Sequence, residues 1–163
     1  MQDTADFGMA AMALLLLLGF LVPAVLFLLA QQNTLKLIQP LNRTMRPGQV
    51  WLQLIPIFNL YYQFVVVTRI SDSLQRELNS YFNDSDSILP DETLTGATGG
   101  KRPVYSSGIT YCWLFVISTV LNWLPSYLAI VSGLVSLAAI AYWVVYWVQL
   151  AGYKKKLEGL RPA

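Results

Sequence analysis

The feature that most constrains this chain is a run without a single charge, residues 7–30, long enough at about 1.5 Å per residue to cross the roughly 30 Å hydrocarbon core of a bilayer with some tilt to spare. In lipid the backbone must satisfy its own polar groups, so such a run is read as a helix. Pro23 lies inside it, removes one backbone donor and predicts a kink that a neighbouring helix would have to cover. A cleavable secretory signal would need basic residues ahead of the run and a small residue two positions before the cleavage point. The sequence has Asp3, Asp6 and Leu28 there instead, so the run is expected to be a retained span.

Composition points the same way. Hydrophobic residues make up 55% of the 163 residues and charged residues 12%, about half the roughly 25% of soluble domains, and the mean hydropathy is +0.49. A formal charge of +2, with basic residues that form no stripe interleaved with aromatics, speaks against a nucleic-acid partner. There is no histidine and only one cysteine, Cys112, in an apolar stretch. Neither a disulfide framework nor a metal site of ordinary spacing is available, and no cofactor is expected.

Residues 31–49 form a polar connection with Lys36, Arg43 and Arg46 but no acid, ending in Pro47-Gly48, a signal that stops one helix and starts another. Residues 50–68 are apolar enough to span, yet Gln53, Pro56, Asn59 and Gln63 recur at helical spacing and should share a face turned to protein or water. From Arg69 to Phe82 the chain is amphipathic without a breaker, with Ile70, Leu74, Leu78 and Phe82 on one stripe, a candidate interface for a partner. A polar, acidic loop follows at about 83–103. The long apolar stretch after it is cut near Pro125 into two antiparallel helices, about 104–122 and 126–153, with Lys154, Lys155, Lys156 and Arg161 in the tail.

The expected architecture is an all-α integral membrane protein, a single transmembrane domain over 1–163 with four transmembrane helices, the second extended by the amphipathic cytoplasmic segment. With four spans, the N-terminus, central loop and tail share a side and carry eight basic residues against three in the first loop, which places them in the cytoplasm. The alternative is three spans plus a re-entrant or interfacial helix at 50–68, broken at Pro56; the N-terminus then lies outside and all eleven basic residues fall inside. The central loop and tail are cytoplasmic in both.

No ionisable residue falls within any expected span, which weighs against pumps and proton-coupled transporters. The amide face of Gln53, Pro56, Asn59 and Gln63 could line a path, but such amides more often bond neighbouring helices. Ala129-x-x-x-Gly133 and Ser132-x-x-x-Ser136 make a small-residue patch for close helix approach, either to the third helix or to another subunit. Trp143 and Trp147, with Lys154, Lys155 and Lys156 beyond them, read as an aromatic belt and basic anchor for membrane lipids. Asn83-Asp84-Ser85-Asp86-Ser87 alternates like a calcium loop but lacks its glycine and terminal glutamate. Without histidine or a nucleophile elbow, an enzyme is not expected.

Asn42-Arg43-Thr44-Met45-Arg46-Pro47-Gly48-Gln49-Val50-Trp51-Leu52, then Ile55-Pro56-Ile57-Phe58-Asn59-Leu60 and Arg69-Ile70-Ser71-Asp72-Ser73-Leu74, resemble a recurring block of a family of small bacterial membrane proteins. Tyr146-Trp147-Val148-Gln149-Leu150-Ala151-Gly152-Tyr153-Lys154 is similar to that family's closing segment. The resemblance implies the bacterial inner membrane and brings no catalytic or binding residue with it. The leading functional expectation is a non-enzymatic inner-membrane subunit or scaffold that packs against another membrane protein or itself. The alternatives are a small channel or transporter with an amide-lined path and a lipid-interacting or stress-related protein acting through its basic tail and interfacial helix.

Overall fold

A computed structural model describes residues 2–84, 102–123 and 129–160, with the side chains of 2–7, 10, 13, 16, 17, 20 and 82–84 outside that description. The expected loop at 83–103, the turn at Pro125, the Phe82 side chain, Lys101 and Arg161 therefore lie wholly or mostly outside the described residues. Among them the chain is all-helical, without strands: α1 (Gln2–Leu37), a 3-10 helix (Pro47–Leu54), α2 (Pro56–Asp84), α3 (Tyr105–Leu121) and α4 (Ala129–Leu160). Of these, α4 is long and apolar enough to cross a membrane, with a mean hydropathy of 2.0 over its most apolar window; Leu21–Leu37 and Tyr105–Leu121 are shorter apolar helical stretches.

The first helix does not end with its apolar run. It continues through residues 31–37, expected to be part of a connection, because nothing before Pro40 breaks it and Gln31, Thr34 and Leu35 are buried against the rest of the chain. Its C-terminus is closed from the loop: the Arg43 guanidinium donates to the carbonyls of Ile38 (2.7 Å) and Lys36 (3.0 Å), groups that a helix end leaves without partners.

The segment expected as the second span is two elements. Proline at 56 forces the residue before it into extended backbone, and Ile55 sits at φ −80°, ψ 110°. The 3-10 helix ends there, and Pro56 opens α2, where its missing N–H costs nothing. Pro56 therefore starts a helix, at the break that the alternative reading of 50–68 places there.

The chain also turns back on itself at this break. Thr44, before the 3-10 helix, and Arg69, within α2, are hydrogen-bonded to each other, Thr44 Oγ1 donating to the Arg69 carbonyl at 2.8 Å. Between them the eight residues of the 3-10 helix travel about 16 Å at about 2 Å each. Residues 56–69 then return about 20 Å at about 1.5 Å each. The 3-10 helix is held between α1 and α2 and packs on both.

Helices α3 and α4 are antiparallel neighbours. Ser107 donates to Gln149 Oε1 near one end, and the Ser118 and Ser136 hydroxyls bond at 2.7 Å near the other, so eleven residues of α3 run against thirteen of α4. Gly108 is where α2, α3 and α4 converge: a Cβ there would lie 2.5 Å from Val67 Cγ1 and 2.9 Å from Tyr146 Cε2, so glycine is what permits the approach. Val104, just before α3, holds a left-handed backbone (φ 54°, ψ 0°), a strained state for a β-branched residue. It is kept in place by its burial and by the Arg102–Asp72 ion pair (3.4 Å) beside it.

The core lies toward the end of the molecule that carries the basic residues. Leu35 of α1, Ile38 just after it, Val50 of the 3-10 helix, Val66, Ile70 and Leu74 of α2, Cys112 of α3, and Tyr146 and Leu150 of α4 have no exposed surface. Away from that end the helices present apolar side chains outward: Leu15, Ile130, Leu134 and Leu137 are each more than 60% exposed.

Candidate functional site

The most elaborate polar construction is the junction between the first loop and α2. Arg69, Ser73, Glu77 and Ser80 are spaced four, four and three apart, which puts them on one face of the helix. The loop lies along that face. Thr44 donates its N–H to Ser73 Oγ (2.9 Å) and accepts at its carbonyl from Arg69 Nη1 (3.1 Å). The Thr44 and Ser73 hydroxyls are 2.9 Å apart, and both reach the Arg69 carbonyl. One turn further on, Glu77 Oε2 accepts from the Gln39 N–H (3.1 Å) and from Asn42 Nδ2 (2.6 Å), and that amide nitrogen also bonds Ser80 Oγ (3.2 Å).

Glu77 has no exposed surface, and its other oxygen has no hydrogen-bond partner. A carboxyl group removed from water is costly unless donors replace its hydration, and the two donors on Oε2 do that for half of it. The apolar stripe Ile70, Leu74 and Leu78 on the adjacent face of α2 is buried in the core. It was expected to be free for an interface. The chain itself closes it instead, since α2 packs on the 3-10 helix and on α3 and the stripe joins their common core.

A second polar group lies deeper. Gln53 donates to Gln31 Oε1 (2.7 Å) and to the Val50 carbonyl (3.1 Å), while Trp51 Nε1 donates to Gln32 Oε1 (3.1 Å). Gln63 and Tyr146 are fully buried, and the Gln63 amide has no hydrogen-bond partner. The four residues expected on one face separate: Gln53 and Gln63 are buried, Asn59 is half-buried and Pro56 is exposed. Gln53 belongs to the 3-10 helix before the break, so it does not share the phase of α2.

On α4, Ser132 is buried and Ser136 bonds Ser118 of α3, whereas Ala129 and Gly133 are exposed with open space beside Gly133. Trp143 and Trp147 are half-buried, edge-on to Phe27 of α1 at 5.4 and 6.0 Å. They contribute to packing between α1 and α4 as well as facing outward. Lys154 pairs with Glu158 (3.6 Å), Lys156 lies over the Tyr153 ring (5.4 Å), and Lys155 is exposed.

Asn42, Thr44 and Ser73 entered the sequence reading only within the resembling block, and no pairing of them with Arg69, Glu77 or Ser80 was expected. The signal was present in the spacing of the small hydroxyl residues around Glu77. Among the described residues, no three His, Cys, Asp or Glu side chains converge as a metal site would require. No family model, curated protein or solved structure matches the chain.

Proposed function

We propose that the chain is a non-enzymatic subunit or scaffold of the bacterial inner membrane, crossing it with α1, α3 and α4 while the hairpin made by the 3-10 helix and the start of α2 dips in and returns. The observation that carries this reading is the bonded junction of residues 39–46 with Arg69, Ser73, Glu77 and Ser80. It ties both ends of the hairpin to one level, and an excursion of about 20 Å falls short of the roughly 30 Å hydrocarbon core. At its tip Leu54, Ile55, Ile57 and Tyr61 are 47–87% exposed, a surface suited to lipid.

Charge supports the same orientation. Nine of the eleven basic residues are described, and all nine cluster at the junction end: Lys36, Arg43 and Arg46 in or beside the loop, Arg69 and Arg76 on α2, Arg102 paired with Asp72, and Lys154, Lys155 and Lys156 just beyond the Ser107–Gln149 contact. That end is then cytoplasmic under the positive-inside rule, with the N-terminus outside. The likeness of residues 42–60 to small bacterial membrane proteins fits this placement.

A scaffold is favoured over an amide-lined path because Gln53 and Gln63 are closed into the bundle, Gln53 on Gln31 and Gln63 with no exposed surface. The surface left for a partner is the outer face of α4, where Ala129, Gly133, Leu137 and Ile140 recur at helical spacing and are exposed. Photo-crosslinking from positions 133 and 137 in cells, with purification in mild detergent, tests the proposal. Discrete crosslinked species are expected. A monomer that crosslinks to lipid alone sinks the scaffold reading, and flux through liposomes that is lost on Gln63→Leu would favour the path.

A further inference from the structure

Beside the junction the loop forms an open depression of about 440 Å³, lined by Pro40, Arg43, Thr44, Met45, Arg46 and Gln49 among others. Its chemistry is one-signed. Residues 31–50 contain three basic residues and no acid, and the ion pairs among the described residues, Arg102–Asp72 and Lys154–Glu158, involve neither Arg43 nor Arg46. The nearest buried carboxyl, Glu77, is turned to Gln39 and Asn42.

Several donors remain toward the depression. Arg43 uses Nε and one Nη2 hydrogen on the end of α1, leaving the rest of its guanidinium. Arg46 is exposed, and Gln49, whose Oε1 accepts from the Arg46 N–H at 3.0 Å, keeps its amide hydrogens. A planar guanidinium presents paired N–H groups that match phosphate oxygens, which makes arginine well suited to this ligand.

The surroundings select among phosphates. Leu41, at the lip of the loop, is 90% exposed, and the 3-10 helix that leaves the depression carries exposed Leu52 and Leu54 toward Ile55 and Ile57. A basic pocket opening onto an apolar wall has the order of groups found in a phospholipid, with its phosphate above its acyl chain. We propose that this depression binds the headgroup phosphate of an anionic phospholipid, with Arg43 and Arg46 on the phosphate and the acyl chain along the 3-10 helix. The site rests on the re-entrant orientation above, which sets the loop at the headgroup level of the cytoplasmic leaflet.

The test is native mass spectrometry of the full chain in detergent, titrated separately with phosphatidylglycerol, phosphatidylcholine and inorganic phosphate. Phosphatidylglycerol is expected to bind most tightly, and the double variant R43Q/R46Q to weaken it about 25-fold, about fivefold for each charge near the lipid surface. Because Arg43 also closes α1, the single variant R46Q, at an exposed side chain, provides an independent reading with an expected loss of about fivefold. R76Q removes the same charge from an exposed position that does not line the depression and should leave binding unchanged.

Undiminished binding in R46Q, an equal loss in R76Q, or phosphate binding as tight as lipid binding would each overturn the proposal. Labelling of Leu41→Cys from either side of the membrane reports the orientation separately. Lost lipid selectivity with cytoplasmic labelling strikes the site, and labelling from the outside strikes the topology on which it rests.

Discussion

At the junction end Leu35, Ile38, Ile70 and Leu74 have no exposed surface and a network of bonds holds the loop to α2, whereas at the far end Leu15, Ile130, Leu134 and Leu137 stand more than 60% exposed. The contrast follows from the solvent proposed for each. Where water is near, burying apolar surface stabilises the fold and drives the elements together. In lipid a leucine gains little by leaving its neighbours, so helices there are held by close approach and by a few interhelical bonds such as Ser118–Ser136. The same apolar residue type therefore does different work at the two ends.

That comparison can be broken by substitution, most severely at Tyr146. Replacing this fully buried side chain with alanine should cost about 3–5 kcal/mol, read from reversible unfolding in detergent. Trp123→Ala, at a site 89% exposed, should stay within about 0.5 kcal/mol. Equal losses would mean that the ends are held alike.

Asn42→Ala removes the 2.6 Å bond to Glu77 and should cost about 1.5–3 kcal/mol, with faster proteolysis of the loop at residues 39–46. Gly108→Ala forces a methyl group against Val67 and Tyr146, and should cost about 1–3 kcal/mol, with part of the loss recovered when Val67→Ala makes room. Among the substitutions that remove or crowd a buried contact, the smallest effect belongs to the Ser118–Ser136 bond: Ser118→Ala should cost about 0.6 kcal/mol. A loss there as large as that of Asn42→Ala would erase the distinction between the ends.

Much of the helical content was legible because charge-free runs and an unbroken amphipathic stretch carry strong local signals. The position of breaks was less so. Pro56 was read as a break only in the alternative to four spans; its effect on Ile55 makes it a helix boundary, and this divides the amide face between two elements. The extension of α1 through Leu37 was hidden by polar residues whose burial depends on a loop distant in sequence.

The junction was the least visible feature. Asn42 and Thr44 meet Glu77 and Ser73 across 35 and 29 residues, and no local period announces such a pairing. What could have been noticed is that Arg69, Ser73, Glu77 and Ser80 form a second stripe beside Ile70, Leu74 and Leu78. A helix with two ordered faces has more to contact than one that is solvated on its polar side.

The central claim is that residues 50–68 enter the membrane and return on the same side. Cysteine labelling tests it most directly, in a background where buried Cys112 is replaced by serine and single cysteines stand at Leu41 and Asn79, both exposed. The account predicts that a membrane-impermeant maleimide modifies both positions from the cytoplasmic face and neither from outside. Modification of Leu41→Cys from the outer face with Asn79→Cys reached only from the inner face would contradict it.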